Sequence, residues 1–276
     1  MISFACSDDQ VDASPRVVAY RALDQNVVSM SPTSAYRTLE AEGLMADRST
    51  SARRRPGSVS IPPPRPELTG PNQRWCWDIT YLRTQEKWKF LFLYVMLDEW
   101  SRKAVGWLVA TVESAAHAKE LTDQALEKEG LLLADRAVLP TVHSDRGSPM
   151  KARSFKRFLE ELGLSQVLSR PRTPNDNPFV EAFFRTAKYA PAYPGYFSNL
   201  KEAIEYFRIF FAWYNEEHLH SGIQYVPPAL KHAGVADRIV NVRQERLAEA
   251  RSRRLQMNCG ASETGVRGVP LMGSGL

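Results

Sequence analysis

A chain of 276 residues, 43% hydrophobic and 24% charged, has room for one large domain with a smaller appendage and enough apolar material for a sizeable core, which excludes a minimal scaffold. Its 36 Lys and Arg exceed its 31 Asp and Glu by five, a surplus that points to an acidic partner only where it is concentrated. The longest apolar run, residues 90–97, falls far short of the roughly 20 residues that cross a bilayer, and residues 1–9 lack the basic start and apolar stretch of an export signal, so a cytoplasmic protein without a membrane partner is expected.

Two helix starts come first, Ser14-Pro15 and Ser31-Pro32. Each pairs a side chain that caps free amides with a proline whose missing N–H costs nothing at the first helical position. The second helix carries Ala35, Tyr36 and Leu39 on one face and stops at Gly43, a good left-handed cap. Residues 1–47 read as a helix-turn-helix-like segment offering Thr33, Ser34 and Arg37 to a DNA groove, or equally as a plain helical hairpin with solvated polar faces. Residues 48–74, with Arg53-Arg54-Arg55 and Pro62, Pro63, Pro64, Pro66 and Pro71, form a basic, proline-rich linker and mark a domain boundary. From there strands and helices alternate. Strands are expected over 75–84, 88–100 and 104–111, a helix over 114–129, a strand over 137–143, a helix over 152–162, a fifth strand over 165–170, and helices over about 177–189 and 199–217. This is an α/β mixed five-stranded sheet flanked by helices, in a core spanning 75–234. Residues 235–276 form a basic tail, partly disordered, with Arg243, Arg246, Arg251, Arg253 and Arg254 at near-helical spacing.

Three acids carry the chemistry. Asp78 lies mid-strand between Trp77 and Ile79, where an ionised carboxylate is costly unless it is paired or binds a cation. Asp145 stands where a strand gives way to a loop containing Gly147, an edge at which α/β sheets hold catalytic groups. Glu181 interrupts the apolar helix segment Phe179, Val180, Ala182, Phe183, Phe184, and so faces a core or a cleft. Taken singly, Asp145 reads as well as a turn former, and Glu181 as a surface residue of an amphipathic helix. Together they sit on a central strand, a neighbouring strand end and a packed helix, and their mutual repulsion at one end of the sheet calls for a divalent cation such as Mg²⁺. Lys188, two helical turns after Glu181, shares its face.

Trp75-x-x-Asp78-x-Thr80, His143-Ser144-Asp145-Arg146-Gly147-Ser148, Arg170-Pro171-Arg172-x-Pro174-Asn175-Asp176-Asn177-Pro178-x-x-Glu181, Lys188, Trp213-Tyr214-Asn215 and His220-Ser221-Gly222 follow one pattern, with 35 residues between Asp145 and Glu181. The chain resembles bacterial insertion-sequence transposases of the retroviral-integrase-like DDE class over about residues 14–234. The resemblance implies an RNase H-like catalytic core over 75–190 behind a small helix-turn-helix segment. It makes Asp78, Asp145 and Glu181 the metal-binding catalytic triad and gives Lys188 a contact with the transposon end. It further implies a pair of Mg²⁺ or Mn²⁺ ions and metal-dependent cleavage and strand transfer at terminal inverted repeats and target DNA. A homo-oligomer is expected to hold two ends together, in association with the nucleoid, and a helix-turn-helix product of an upstream reading frame is an expected partner.

Charge agrees with a nucleic-acid surface. Between residues 146 and 189, nine Lys or Arg (146, 151, 153, 156, 157, 170, 172, 185, 188) face four acids (160, 161, 176, 181). Arg146, Arg170 and Arg172 lie beside the expected site and are candidate DNA contacts, whereas residues 151–157 read equally as a solvated helix face. Pro149 stands where many relatives have Gln. Asp98 is taken as a turn residue paired with Arg102, and Asp176 as an Asx-turn former. His218 and His220 make only a weak zinc pattern, and three cysteines without a C-x-x-C pair argue against both a disulfide framework and a closed zinc site. The rival readings are a catalytically decayed or domesticated DNA-binding copy of the same fold, and an RNase H-type nuclease acting on RNA–DNA hybrids.

Overall fold

Alternating side chains build the central sheet. In β1 (Arg74–Arg83), Trp75 and Trp77 point to one face and Cys76 and Leu82 to the other; in β2 (Phe90–Asp98), Tyr94 and Met96 join the first face and Leu93, Val95 and Leu97 the second. The computed structural model describes residues 1–10, 12–45, 66–170 and 177–263, with side chains through Met257. The expected arginine run and all but Pro66 and Pro71 of the linker prolines, together with Arg172 and Asp176, lie outside the described residues.

β1 pairs antiparallel with β2, which pairs antiparallel with β3 (Ala104–Ala110); on its other side β1 pairs parallel with β4 (Thr141–Ser144), and β4 pairs parallel with β5 (Ser165–Leu168). The order β3-β2-β1-β4-β5 makes β1 central and gives an RNase H-like mixed sheet. Short helix α1 (Ile2–Ala5), α2 (Pro15–Asp24) and α3 (Pro32–Ala41) precede it, with Ser14 and Ser31 accepting from the backbone N–H groups of Val17 and Ser34 as cap residues should. Helix α4 (Ala115–Lys128) and the pair α5 (Ser148–Lys151) and α6 (Arg153–Leu162) cover the tryptophan face. Helices α7 (Pro178–Lys188) and α8 (Leu200–Glu216) cover the opposite face through Phe183, Phe207, Phe210 and Phe211, followed by α9 (Pro228–His232) and α10 (Ala236–Glu263).

Two expectations shift. The fourth strand begins at Thr141 rather than residue 137, because Arg136–Val138 form a single 3₁₀ turn ahead of Pro140. The near-helical spacing of the tail arginines belongs to a helix of 28 residues, α10. The chain divides into two compact units, Met1–Ser49 with Asp237–Leu276, and Thr50–Ala236. In the first, Val18, Ala19, Ala22, Leu23, Ala35 and Leu39 are buried. Among the described residues no helix is long and apolar enough to cross a membrane.

Candidate active site

Register places the acids. Trp77 of β1 pairs with Ser144 of β4, which pairs with Leu168 of β5, so Asp78, Asp145 and Ser169 are the next residues along three neighbouring strands. Strands in a sheet lie about 4.8 Å apart, and in-register residues of parallel strands face the same side. Asp78 therefore faces the side covered by α7, along with Cys76 and Thr80. Asn177, at the start of α7, donates through Nδ2 to the Trp77 carbonyl at 3.3 Å, which fastens the helix beside Asp78 one turn before Glu181.

The electrostatics follow. Burial lifts the Asp78 carboxyl to about 7; an N–H donated by Ile79 works against this, while the negative charges of Asp145, Glu181 and Glu113 add to it. The three acids named from sequence thus share one electrostatic neighbourhood, with Glu113, from the loop after β3, as a fourth member that sequence did not suggest. Asp145 accepts a 2.7 Å hydrogen bond at Oδ1 from the Ser169 hydroxyl. Lys188 donates from Nζ to Thr80 Oγ1 at 2.7 Å, and burial followed by the charge of Arg83 lowers its pKa. Among the described residues no three His, Cys, Asp or Glu side chains stand close enough to hold a metal ion as placed. Asp78, Asp145 and Glu181 all offer carboxylate oxygens, the ligand chemistry of Mg²⁺ or Mn²⁺, and are the residues here that could hold such a cation.

The other candidates are dispersed. Arg146 is exposed and donates from Nε to the Ser169 carbonyl at 2.8 Å; Arg170 is exposed next to it. Arg37 is exposed on α3, in the other unit. Asp98 is a turn residue as expected and pairs with Arg102 through the backbone, its carbonyl accepting from Arg102 N at 2.9 Å; its carboxylate oxygens accept from Ser101 N and Oγ and from Asn72 N, whereas the Arg102 side chain donates to the Glu99 carbonyl and lies over the Phe179 ring at 3.5 Å. Arg102 takes the left-handed φ of 67° at this turn, and its guanidinium sits against Phe179 of α7 rather than on the Asp98 carboxylate. Glu99, His143, Ser169 and Arg83 had no role in the sequence reading; Glu99 is buried at 2% side-chain exposure, a charge that its place beside Asp98 disguised as turn material.

The family description "Integrase core domain" matches residues 69–174 and again 162–228. Among curated relatives, the transposase for insertion sequence element IS904 of Lactococcus lactis subsp. lactis (strain IL1403) is 32% identical over 167 residues, covering 59% of this chain and 62% of that protein. Transposase InsF for insertion sequence IS3A of Escherichia coli (strain K12) is 37% identical over 120 residues, covering 44% and 39%. The chain therefore spans less than two thirds of the length of either. A solved catalytic domain of Mos1 transposase aligns at TM-score 0.45 and 14% identity, over 64% of this chain and 83% of that one. Residues 69–228, more than half of the chain, match the integrase core domain, and the chain belongs to that family.

Proposed function

We propose that this protein is a polynucleotidyl transferase that cleaves DNA at the terminal inverted repeats of an insertion sequence and joins the freed ends to target DNA. The observation that carries the reading is the convergence on Asp78, whose carboxyl is lifted to about 7 by burial and by the charges of Asp145 and Glu181, inside an integrase core domain. Asp78, Asp145 and Glu181 would hold a pair of Mg²⁺ or Mn²⁺ ions. When bound, two such ions supply charge neutralisation at the attacking and leaving oxygens of an in-line phosphoryl transfer.

The chain's own residues do the rest. Lys188, oriented by Thr80, takes a phosphate of the element end, and Arg146 and Arg170 extend the cationic surface along the strand. Arg172 belongs to the same surface by sequence. The unit containing α2 and α3 serves end recognition through Arg37, and a homo-oligomer holds two ends for joining. An upstream-frame product that completes end recognition, and a cytoplasmic, nucleoid-associated location, complete the proposal.

The test is gel analysis of labelled duplexes ending in the element's inverted repeats, incubated with the full chain and Mg²⁺. Wild type is expected to nick and join them, and Asp145→Asn to lose at least about 10³-fold, because removing a ligand of a two-metal site removes the transition-state charge stabilisation. Cleavage by Asp145→Asn at the wild-type rate overturns the assignment; binding without cleavage by the wild type supports the decayed-copy reading.

A further inference from the structure

The second unit buries a connected row of polar side chains that the proposed chemistry does not use. Glu99 and His143 are each 2% exposed at the side chain, and Ser169 is 5% exposed as a residue. Placing a carboxylate this deep is costly unless its charge is met. Arg74 meets it at one oxygen, with Nη1 3.3 Å from Glu99 Oε2, and the His143 ring stands beside the other, with Nδ1 3.4 Å from Oε1. On the far side of the ring, His143 Nε2 lies 3.3 Å from Ser169 Oγ, which donates to Asp145 Oδ1 at 2.7 Å.

Sheet geometry explains how residues so distant in sequence line up. His143 and Asp145 are two residues apart along one chain direction and share a face, and Ser169 stands beside Asp145 at the end of the next parallel strand. Its backbone is fixed there, with N–H donated to the Ser144 carbonyl at 2.9 Å and the Ser169 carbonyl taken by Arg146. A serine hydroxyl has one hydrogen, and Asp145 receives it, so His143 Nε2 is the donor toward Oγ. From His143 through Ser169 the donors therefore run one way, ending on a single carboxylate oxygen.

We propose that Ser169 and His143, anchored by Glu99 and Arg74, are positioning residues for Asp145: they fix Oδ1 and leave Oδ2 as the oxygen presented to a divalent cation. The inference rests on the reading of Asp145 as a cation ligand. Partners of this kind orient a ligand and set its affinity without touching the reacting atoms, and their loss typically costs 10–100-fold.

Calorimetric titration of the full chain with Mn²⁺ tests it, run beside cleavage assays over a range of Mn²⁺. Ser169→Ala is expected to weaken Mn²⁺ binding about tenfold or more and to raise the Mn²⁺ needed for half-maximal cleavage, with the rate recovering at saturation. Ser169→Thr, which keeps the hydroxyl, is expected to restore affinity, and His143→Gln, which keeps a donor, to fall between. Thermal unfolding of each variant reports separately on the fold. Wild-type Mn²⁺ affinity in Ser169→Ala, together with lost affinity in Asp145→Asn, overturns the positioning role and leaves the site reading standing. Unchanged affinity in Asp145→Asn overturns the site reading itself, and the row with it.

Discussion

His232 shows how much one side chain can join. Its Nε2 lies 2.8 Å from Glu129 Oε2 and its Nδ1 2.8 Å from Ser101 Oγ and 3.8 Å from Asp98 Oδ1, while Lys103 Nζ sits 2.8 Å from the other Glu129 oxygen. Burial would raise the Glu129 carboxyl, but the hydrogen bonds from His232 and Lys103 outweigh it and draw it down to about 2. Burial would likewise lower the His232 imidazole, and the hydrogen bonds to Asp98 and Glu129 outweigh that and raise it. The two shifts act in opposite windows. A lowered acid stabilises the fold above its ordinary value of 4.5 and loses that contribution as pH falls toward 2; a raised histidine stabilises it below its ordinary value of 6.5 and loses that as pH rises through the folded value. His232→Gln is therefore expected to cost about 1–3 kcal/mol in denaturant unfolding at pH 6, the range for hydrogen bonds to charged groups, and distinctly less at pH 9. Equal costs at the two pH values would show that charge on His232 contributes nothing.

Among the elements, α8 is tied to the sheet by polar rather than apolar contacts at one decisive point. β3 is an edge strand whose first residue would leave its outward backbone groups bare, and Asn215 of α8 supplies both partners: Oδ1 accepts from Ala104 N at 2.9 Å and Nδ2 donates to Ala104 O at 3.1 Å. Tyr214 adds a bond from its hydroxyl to the Arg102 carbonyl at 3.1 Å. Asn215→Asp, which replaces the donor by a second acceptor facing a carbonyl, is expected to destabilise the core by about 1–3 kcal/mol in denaturant unfolding, and Asn215→Ala by a similar amount. A loss below a few tenths of a kcal/mol would leave the clamp without energetic weight. The Trp213-Tyr214-Asn215 motif stood out in the sequence without a role, since a side chain that substitutes for a missing strand leaves no periodicity behind. β2 was legible because both its faces are covered and its apolar residues run unbroken from Phe90 to Leu97. Asp78 stood out because a carboxylate beside Trp77 is an anomaly. Ser169 and His143 were not, because their meaning lies in the register between β4 and β5, which no local pattern encodes.

At the scale of the whole chain, the two ends of the sequence meet in one unit. Helix α10 lacks the apolar stripe that marks a packed helix, which is why the sequence suggested only a short basic segment, and its hold on the amino-terminal helices is made by arginines instead. The buried Arg243 donates from Nε to Asp24 Oδ1 at 2.7 Å and from Nη2 to Oδ2 at 2.6 Å, with its guanidinium over the Tyr20 ring at 4.8 Å. Arg246 donates to the carbonyls of Leu23 and Asp24 at the end of α2, which carry the negative end of its dipole. Among the described residues this unit has α1, α2 and α3 beside α10 and a small core, and small cores gain proportionally more from each such bond. Arg243→Ala is expected to strip a bidentate, largely buried pair worth about 1–3 kcal/mol and so to lower the melting of the terminal unit by several degrees. The sheet unit, from Thr50 to Ala236, is expected to keep its own transition. Scanning calorimetry resolves the two: a shift confined to one transition supports the division, whereas an equal shift of the entire profile means that the chain unfolds as a single cooperative body and that the arginine stabilises all of it.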